Sequence, residues 1–108
     1  MFNLLFHTFD PRYIEVILHQ SRYINHILPN HTLIDVDAIR DVIEDPDFIT
    51  QDVRSQDVEN YYRQEVMVEY PEYYVKVCVL FKPAHQGRVI TAFVVDWPKP
   101  EEELIWQK

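Results

Sequence analysis

The sequence predicts an α+β domain in which two N-terminal helices pack on one face of a four- to five-stranded antiparallel meander. Three observations lead there. Apolar residues recur at helical spacing in the first 45 residues, and from Phe48 onward the chain becomes β-branched and aromatic with a period of two. Short turn-forming stretches, too brief for crossovers, separate the strand-like runs. With 108 residues, 47% of them hydrophobic and a single Gly, the chain is sized for one core, so residues 1–108 are read as a single domain.

The elements follow in order. Asp10-Pro11 has the form of an N-cap followed by Pro at the first helical position, which predicts a helix from Pro11 to about Ile27 with Ile14, Ile17, Leu18, Ser21, Ile24 and Leu28 as its inward stripe. Pro29 would end it. Glu15, His19, Arg22 and His26 fall on a second line at spacings of four, three and four, one polar edge beside that stripe. Asp35 can cap a second helix with Val36, Ile39, Val42 and Ile43 inward, stopped by Pro46. Asp41, Glu44 and Asp45 crowd its C-terminal end, where the dipole disfavours acid. Strands are predicted near Phe48 to Arg54, Val58 to Val68, Tyr73 to Lys82, Arg88 to Asp96 and Leu104 to Trp106, with Pro83 through Gly87 as the turn before the fourth. The fourth, apolar from Val89 to Val95, reads as a central strand covered on both faces.

Charge and cysteine content narrow the function classes. Ten basic against 18 acidic residues give a formal charge of -8, with nine of the acids in residues 31–60, which disfavours a broad phosphate-binding coat. A small anion site drawn from the first and last thirds remains compatible with that balance, because distant charges are screened within about 8 Å. Cys78 is the only cysteine, so neither a disulfide framework nor a cysteine-based zinc site is available, and its mid-strand position reads as core. The first residues lack a positive n-region and are interrupted by His7 and Asp10, so the expectation is a cytoplasmic protein with no membrane association. No Gly-rich phosphate loop can form around Gly87 alone, and on a helix His19 and His26 would stand about 10 Å apart, too far to share an ion. No cofactor and no metal are expected.

The remaining candidate is an acid/base site on the polar helix edge. An imidazole titrates near neutral pH, and Arg22 precedes His26 by one helical turn. The same placement would also suit a histidine that merely favours a helix C-terminus. In Tyr61-Tyr62-Arg63, successive side chains alternate faces, so Tyr62 and Arg63 reach one pocket only across a bulge. Thr91 is a hydroxyl in an apolar strand and can equally be a β-branched residue serving its own strand.

Taken in order, Arg22-Tyr23-Ile24-Asn25-His26-Ile27, His31, Ile43-Glu44-Asp45-Pro46-Asp47-Phe48-Ile49, Tyr61-Tyr62-Arg63, Val75-Lys76-Val77, Gly87-Arg88-Val89-Ile90-Thr91-Ala92-Phe93 and Glu103-Leu104-Ile105-Trp106 form a pattern. It resembles the phage barnase-like nucleases of the barnase/EndoU/colicin/RelE superfamily, small metal-independent RNases and toxins. The resemblance implies a groove between the first helix and the sheet, with His26, Arg22, Arg63 and Thr91 as catalytic residues. Two features depart from that family: its members are often basic, and Thr32 stands where a proline often follows the second histidine.

The function so implied is a small RNase or RNase-like toxin that cleaves RNA by attack of the ribose 2'-hydroxyl, giving a 2',3'-cyclic phosphate. His26 would move the proton, Arg22 and Arg63 would neutralise phosphate charge, Thr91 would position an oxygen and Tyr62 would stack on a base. RNA and a neutralising protein would be its partners. The rival reading is a non-enzymatic interaction module presenting Asp37, Asp41, Glu44 and Asp45 of the second helix to a basic partner.

Overall fold

A run of three consecutive apolar residues, Val16-Ile17-Leu18, decides the start of the fold. In the computed structural model, which describes residues 3–31, 33–82 and 86–108, all three are buried in a strand. The strands are β1 (Leu4–Phe9), β2 (Glu15–His19), β3 (Phe48–Gln51), β4 (Val58–Gln64), β5 (Tyr74–Leu80), β6 (Gln86–Val95) and β7 (Glu103–Gln107). They form one seven-stranded sheet of order β1-β2-β6-β5-β4-β3-β7. Every pairing is antiparallel except β2 with β6, which is parallel.

This corrects the expected architecture of two helices on a four- to five-stranded antiparallel meander. The fold is a mixed, mostly β structure, and the segment expected as the first helix is largely a hairpin. Asp10-Pro11 opens a tight turn there: the Asp10 carbonyl accepts from the Tyr13 N–H, and Tyr13 takes φ 65°. The Asp10 carboxylate accepts from the backbone N–H groups of Arg12 and Ile14, as an Asx turn does. An N-cap and an Asx turn use the same residue types, and the β-branched, doubly buried run that follows selects the turn.

Helical structure begins only at Gln20. It comprises α1 (Gln20–Arg22), π-helical Tyr23–Ile27 and α2 (Leu28–Asn30), with Ile27 buried and the Tyr23 hydroxyl donating to the Ile34 carbonyl. The second helix is α3 (Val36–Glu44), where Asp35 accepts from the Ala38 N–H and Ile39, Val42 and Ile43 are buried. Two of the three acids at its end have partners: Glu44 pairs with Arg40 and Thr8, and Asp45 with Lys108 at 2.9 Å. Thr32 and residues 83–85 of the expected Pro83 to Gly87 turn lie outside the described residues.

Strand alternation sorts the sheet into two faces. Val75, Val77 and Val79 of β5 join Ile49, Tyr61, Ala92 and the apolar side of α3 in the core. The opposite face, open along β6 but buried at Thr50, Asn60, Tyr62, Lys76 and Cys78, carries two cross-strand rows, Thr50-Asn60-Cys78-Thr91 and Phe48-Tyr62-Lys76-Phe93. The β5–β6 register shifts between Cys78 and Val79, so that Thr91 pairs Cys78 and Val89 pairs Val79. Ile90 is the extra residue of a bulge, which puts Arg88 on the same face as Thr91 and Phe93.

On the core face, Arg12 and the Tyr61 hydroxyl both donate to Asp10 Oδ2, at 2.6 and 2.7 Å, and Arg12 also meets Glu59 at 2.7 Å. Burial and the neighbouring Asp10 push the Tyr61 hydroxyl well above its ordinary range, so it serves as a donor here. This cluster holds the β1–β2 turn over β4. Asp10→Ala should therefore cost about 3 kcal/mol, toward the range for stranding a buried charge, and Tyr61→Phe about 1 kcal/mol. Urea unfolding at pH 7 checks this, and equal losses would contradict the central place given to the carboxylate.

Candidate functional site

The parallel contact between β2 and β6 spans only Glu15↔Gln86, Val16↔Gly87 and Ile17↔Arg88. Beyond Arg88 the edge of β6 is left to the helical segment, whose residues 23–27 pack against it. The polar edge of that segment therefore runs beside the open face of β6. His19, Ser21, Arg22, Asn25, His26 and Arg88 surround a cavity of about 390 Å³ with no carboxylate in its lining. Arg22 and His26 are exposed, and Asn30 donates to the His26 carbonyl at 2.7 Å. His26 sits within the π-helical turn, a distortion frequent at functional positions.

Past this cavity the chain after α2 meets β6 again. The ring of His31, just after α2, lies 5.6 Å from that of Phe93. Burial, and then the proximity of His26, hold the His31 pKa below its usual value. Phe93 borders a second cavity of about 550 Å³ whose lining includes Tyr62, Tyr73, Lys76, Trp97 and Lys99.

Under this second cavity lies a buried polar network. Glu102 accepts from Thr50 at 2.6 Å, from the Tyr62 hydroxyl at 2.6 Å and from Lys76 at 3.1 Å. Burial alone would raise its pKa, but the three donors outweigh burial and hold Glu102 below the usual carboxylate range. Tyr62 is pushed the other way, by burial and by donating to Glu102. The Cys78 thiol, on the same face, is pushed up by burial to about 11, which leaves it protonated and unreactive at neutral pH.

The candidate residues thus divide. Arg22 and His26 share the first cavity, and Thr91 lies on the adjoining face of β6 between Arg88 and Phe93. Tyr62 is on that face too, but its ring is fully buried and stacked on Phe48, so it is not free to stack on a base. Arg63 is not in the groove. It projects from the core face of β4 toward the C-terminal end of α3, 3.5 Å from the Asp41 carbonyl and 3.9 Å from Asp45. Arg88, not Arg63, lines the first cavity. Strict alternation separates Arg88 from Thr91, and only the bulge at Ile90 reunites them. Lys76 and Glu102, 26 residues apart, likewise carry no local sign of their pairing.

Of the acids on and just after α3, Glu44 and Asp45 are ion-paired with Arg40 and Lys108 while still partly exposed, and Asp37 and Asp41 are exposed as well. Among the described residues, no three His, Cys, Asp or Glu side chains gather as a metal site would need, and no helix is long and apolar enough to cross a membrane. No family model, curated protein or solved structure matches the chain.

The Glu102 network generates a pH dependence. Its folded pKa lies below the ordinary 4.5, so its stabilisation is complete above that value and is lost as pH falls through the lowered one. Glu102→Gln should make the acid limb of the urea stability profile shallower. It should also cost about 3 kcal/mol at pH 7 by stranding Lys76. An unchanged acid limb would show that the carboxylate is not held by these donors.

Proposed function

We propose that the chain is a small endoribonuclease whose groove, between the helical segment 20–30 and the open face of β6, binds the RNA backbone. The observation that carries this reading is the first cavity: in a chain of charge -8, Arg22, His26 and Arg88 converge with no carboxylate beside them. Such a cluster is suited to a phosphate, and the two guanidinium groups can each donate two parallel hydrogen bonds to its oxygens. The order of motifs that resembles the barnase-like nucleases supports the same reading.

His26 takes the proton from the ribose 2'-hydroxyl. The freed oxygen forms a bond to phosphorus as the bond to the 5'-oxygen breaks, giving a 2',3'-cyclic phosphate and a 5'-hydroxyl that collects a proton from solvent or a neighbouring acid. Arg22 and Arg88 stabilise the charge that develops on the phosphoryl oxygens. Thr91, further along β6, is placed to donate its hydroxyl to a phosphate or sugar oxygen of the same strand. No step calls on a metal.

His26→Ala should lower RNA cleavage by about 100- to 10,000-fold, measured with a fluorogenic oligoribonucleotide in EDTA. Arg88→Ala should lower it by about 100-fold, in the range for losing one charge-stabilising donor, while Arg63→Ala leaves it unchanged. Full cleavage by His26→Ala, or a greater loss from Arg63→Ala than from Arg88→Ala, would overturn the assignment.

A further inference from the structure

The β4–β5 connection and the start of α3 enclose an apolar groove apart from the two cavities described above. Leu33, Ala38, Val66, Met67 and Val68 form its walls and floor around a cavity of about 300 Å³, and Asp35 and Glu69 complete the lining. Ala38, Val66 and Met67 pack on the core, whereas Leu33 is 64% and Val68 93% exposed. Apolar side chains held in water beside a depression backed by the core mark a docking surface. The connection has a defined shape. The Glu65 N–H donates to the Pro71 carbonyl, the Tyr70 N–H to the Met67 carbonyl and the Gln64 side chain to the Glu72 carbonyl, and Tyr70 stacks on Tyr73. Val68 is thus held in place before a partner arrives, which lowers the ordering cost of association.

The rim of this groove is acidic. The two segments that form it, residues 33–39 and 64–75, contain Asp35, Asp37, Glu65, Glu69 and Glu72 and neither Lys nor Arg. All five acids are exposed, and among the described residues none of them is ion-paired. We infer that the groove docks a basic amphipathic helix of another protein, its apolar face seated on Leu33, Val66 and Val68 and its Lys or Arg side chains reaching Asp35, Asp37 and Glu69. Charge complementarity sets the sign of the partner. The sheet sets its form: β4 and β5 are each paired on both sides, so no free strand edge borders the groove. A partner must therefore bind through side chains, as a helix does with apolar anchors at i, i+3, i+4 and i+7. Asp41, Glu44 and Asp45, at the other end of α3, take no part. The groove shares no lining residue with the first or second cavity, so the inference stands apart from the nuclease reading.

The test is fluorescence anisotropy of the full chain with two labelled peptides of identical Leu and Lys composition. One carries Leu at i, i+3, i+4 and i+7, and the other has the order scrambled so that no apolar face forms. The amphipathic peptide should bind about 10- to 100-fold more tightly, the factor for burying one further apolar side chain. Leu33→Ser with Val68→Ser, both at exposed positions, should weaken the amphipathic peptide by about 10- to 100-fold and leave the scrambled one unchanged. Glu69→Lys should weaken it by about 5-fold. Glu101→Lys makes the same change of net charge on an exposed residue outside the groove and should have a smaller effect.

Failure of the amphipathic peptide to bind more tightly than the scrambled one, or equal weakening by Glu69→Lys and Glu101→Lys, would reduce the groove to a general attraction by net charge and overturn the inference. Undiminished binding to the Leu33→Ser, Val68→Ser variant would overturn it too. None of these results touches the nuclease reading, because RNA cleavage is measured without the peptide.

Discussion

Three residue pairs between β2 and β6 hold the architecture in its functional form. The N-terminal hairpin could have closed on itself and left the meander exposed, but the parallel contact sews it to β6 through Val16↔Gly87. That position tolerates almost no side chain: a Cβ on Gly87 would lie 2.6 Å from Val79 Cγ1 and 2.7 Å from Phe81 Cε1. The one glycine in the chain thus leaves room for the Val79 and Phe81 side chains beside β6. Because the contact stops at Arg88, the helical segment takes over the edge of β6, and a strand edge becomes one wall of a groove.

Charge is disposed to match. Acidic groups are drawn into internal partnerships: Asp10 with Arg12 and Tyr61, Glu102 with Lys76, Thr50 and Tyr62, and Asp45 with Lys108. The pairs at Asp10 and Glu102 are buried and carry a desolvation cost that their added hydrogen bonds offset, so their value is more in fixing geometry than in net stability, whereas Asp45 and Lys108 pair at the surface. Asp10 fixes the hairpin turn, and Glu102 ties the connection between β6 and β7 to the open face. Arg22, His26 and Arg88 are left facing the groove without acid beside them, so a phosphate meets local positive charge on an acidic molecule.

Much of the second half was legible in the sequence because its signals are local. Period-two alternation located β4, β5 and β6, and the Asp35 cap with its inward stripe located α3 within a residue or two. The start of the chain is ambiguous by pattern, because Ile14, Ile17, Leu18 and Ser21 satisfy helical spacing while Val16-Ile17-Leu18 equally satisfies a strand buried on both faces. Non-local pairing with β6 decided between them. Arg22 and His26 share an edge because residues 20–30 are helical, and Arg63 lies on the core face because alternation sets it opposite Tyr62. Arg88 and the Lys76–Glu102 pair depend on a bulge and on a long-range contact, neither of which has a signature in neighbouring residues.

Backbone amide mapping by NMR, with an oligonucleotide carrying a 2'-deoxyribose at the scissile position so that cleavage is blocked, tests most directly whether one groove serves the RNA. The account predicts that shifts concentrate at Arg22 to His31 and Arg88 to Phe93, leaving α3 and Arg63 unmoved. Shifts centred on α3, or none at His26 under saturating ligand, would contradict it.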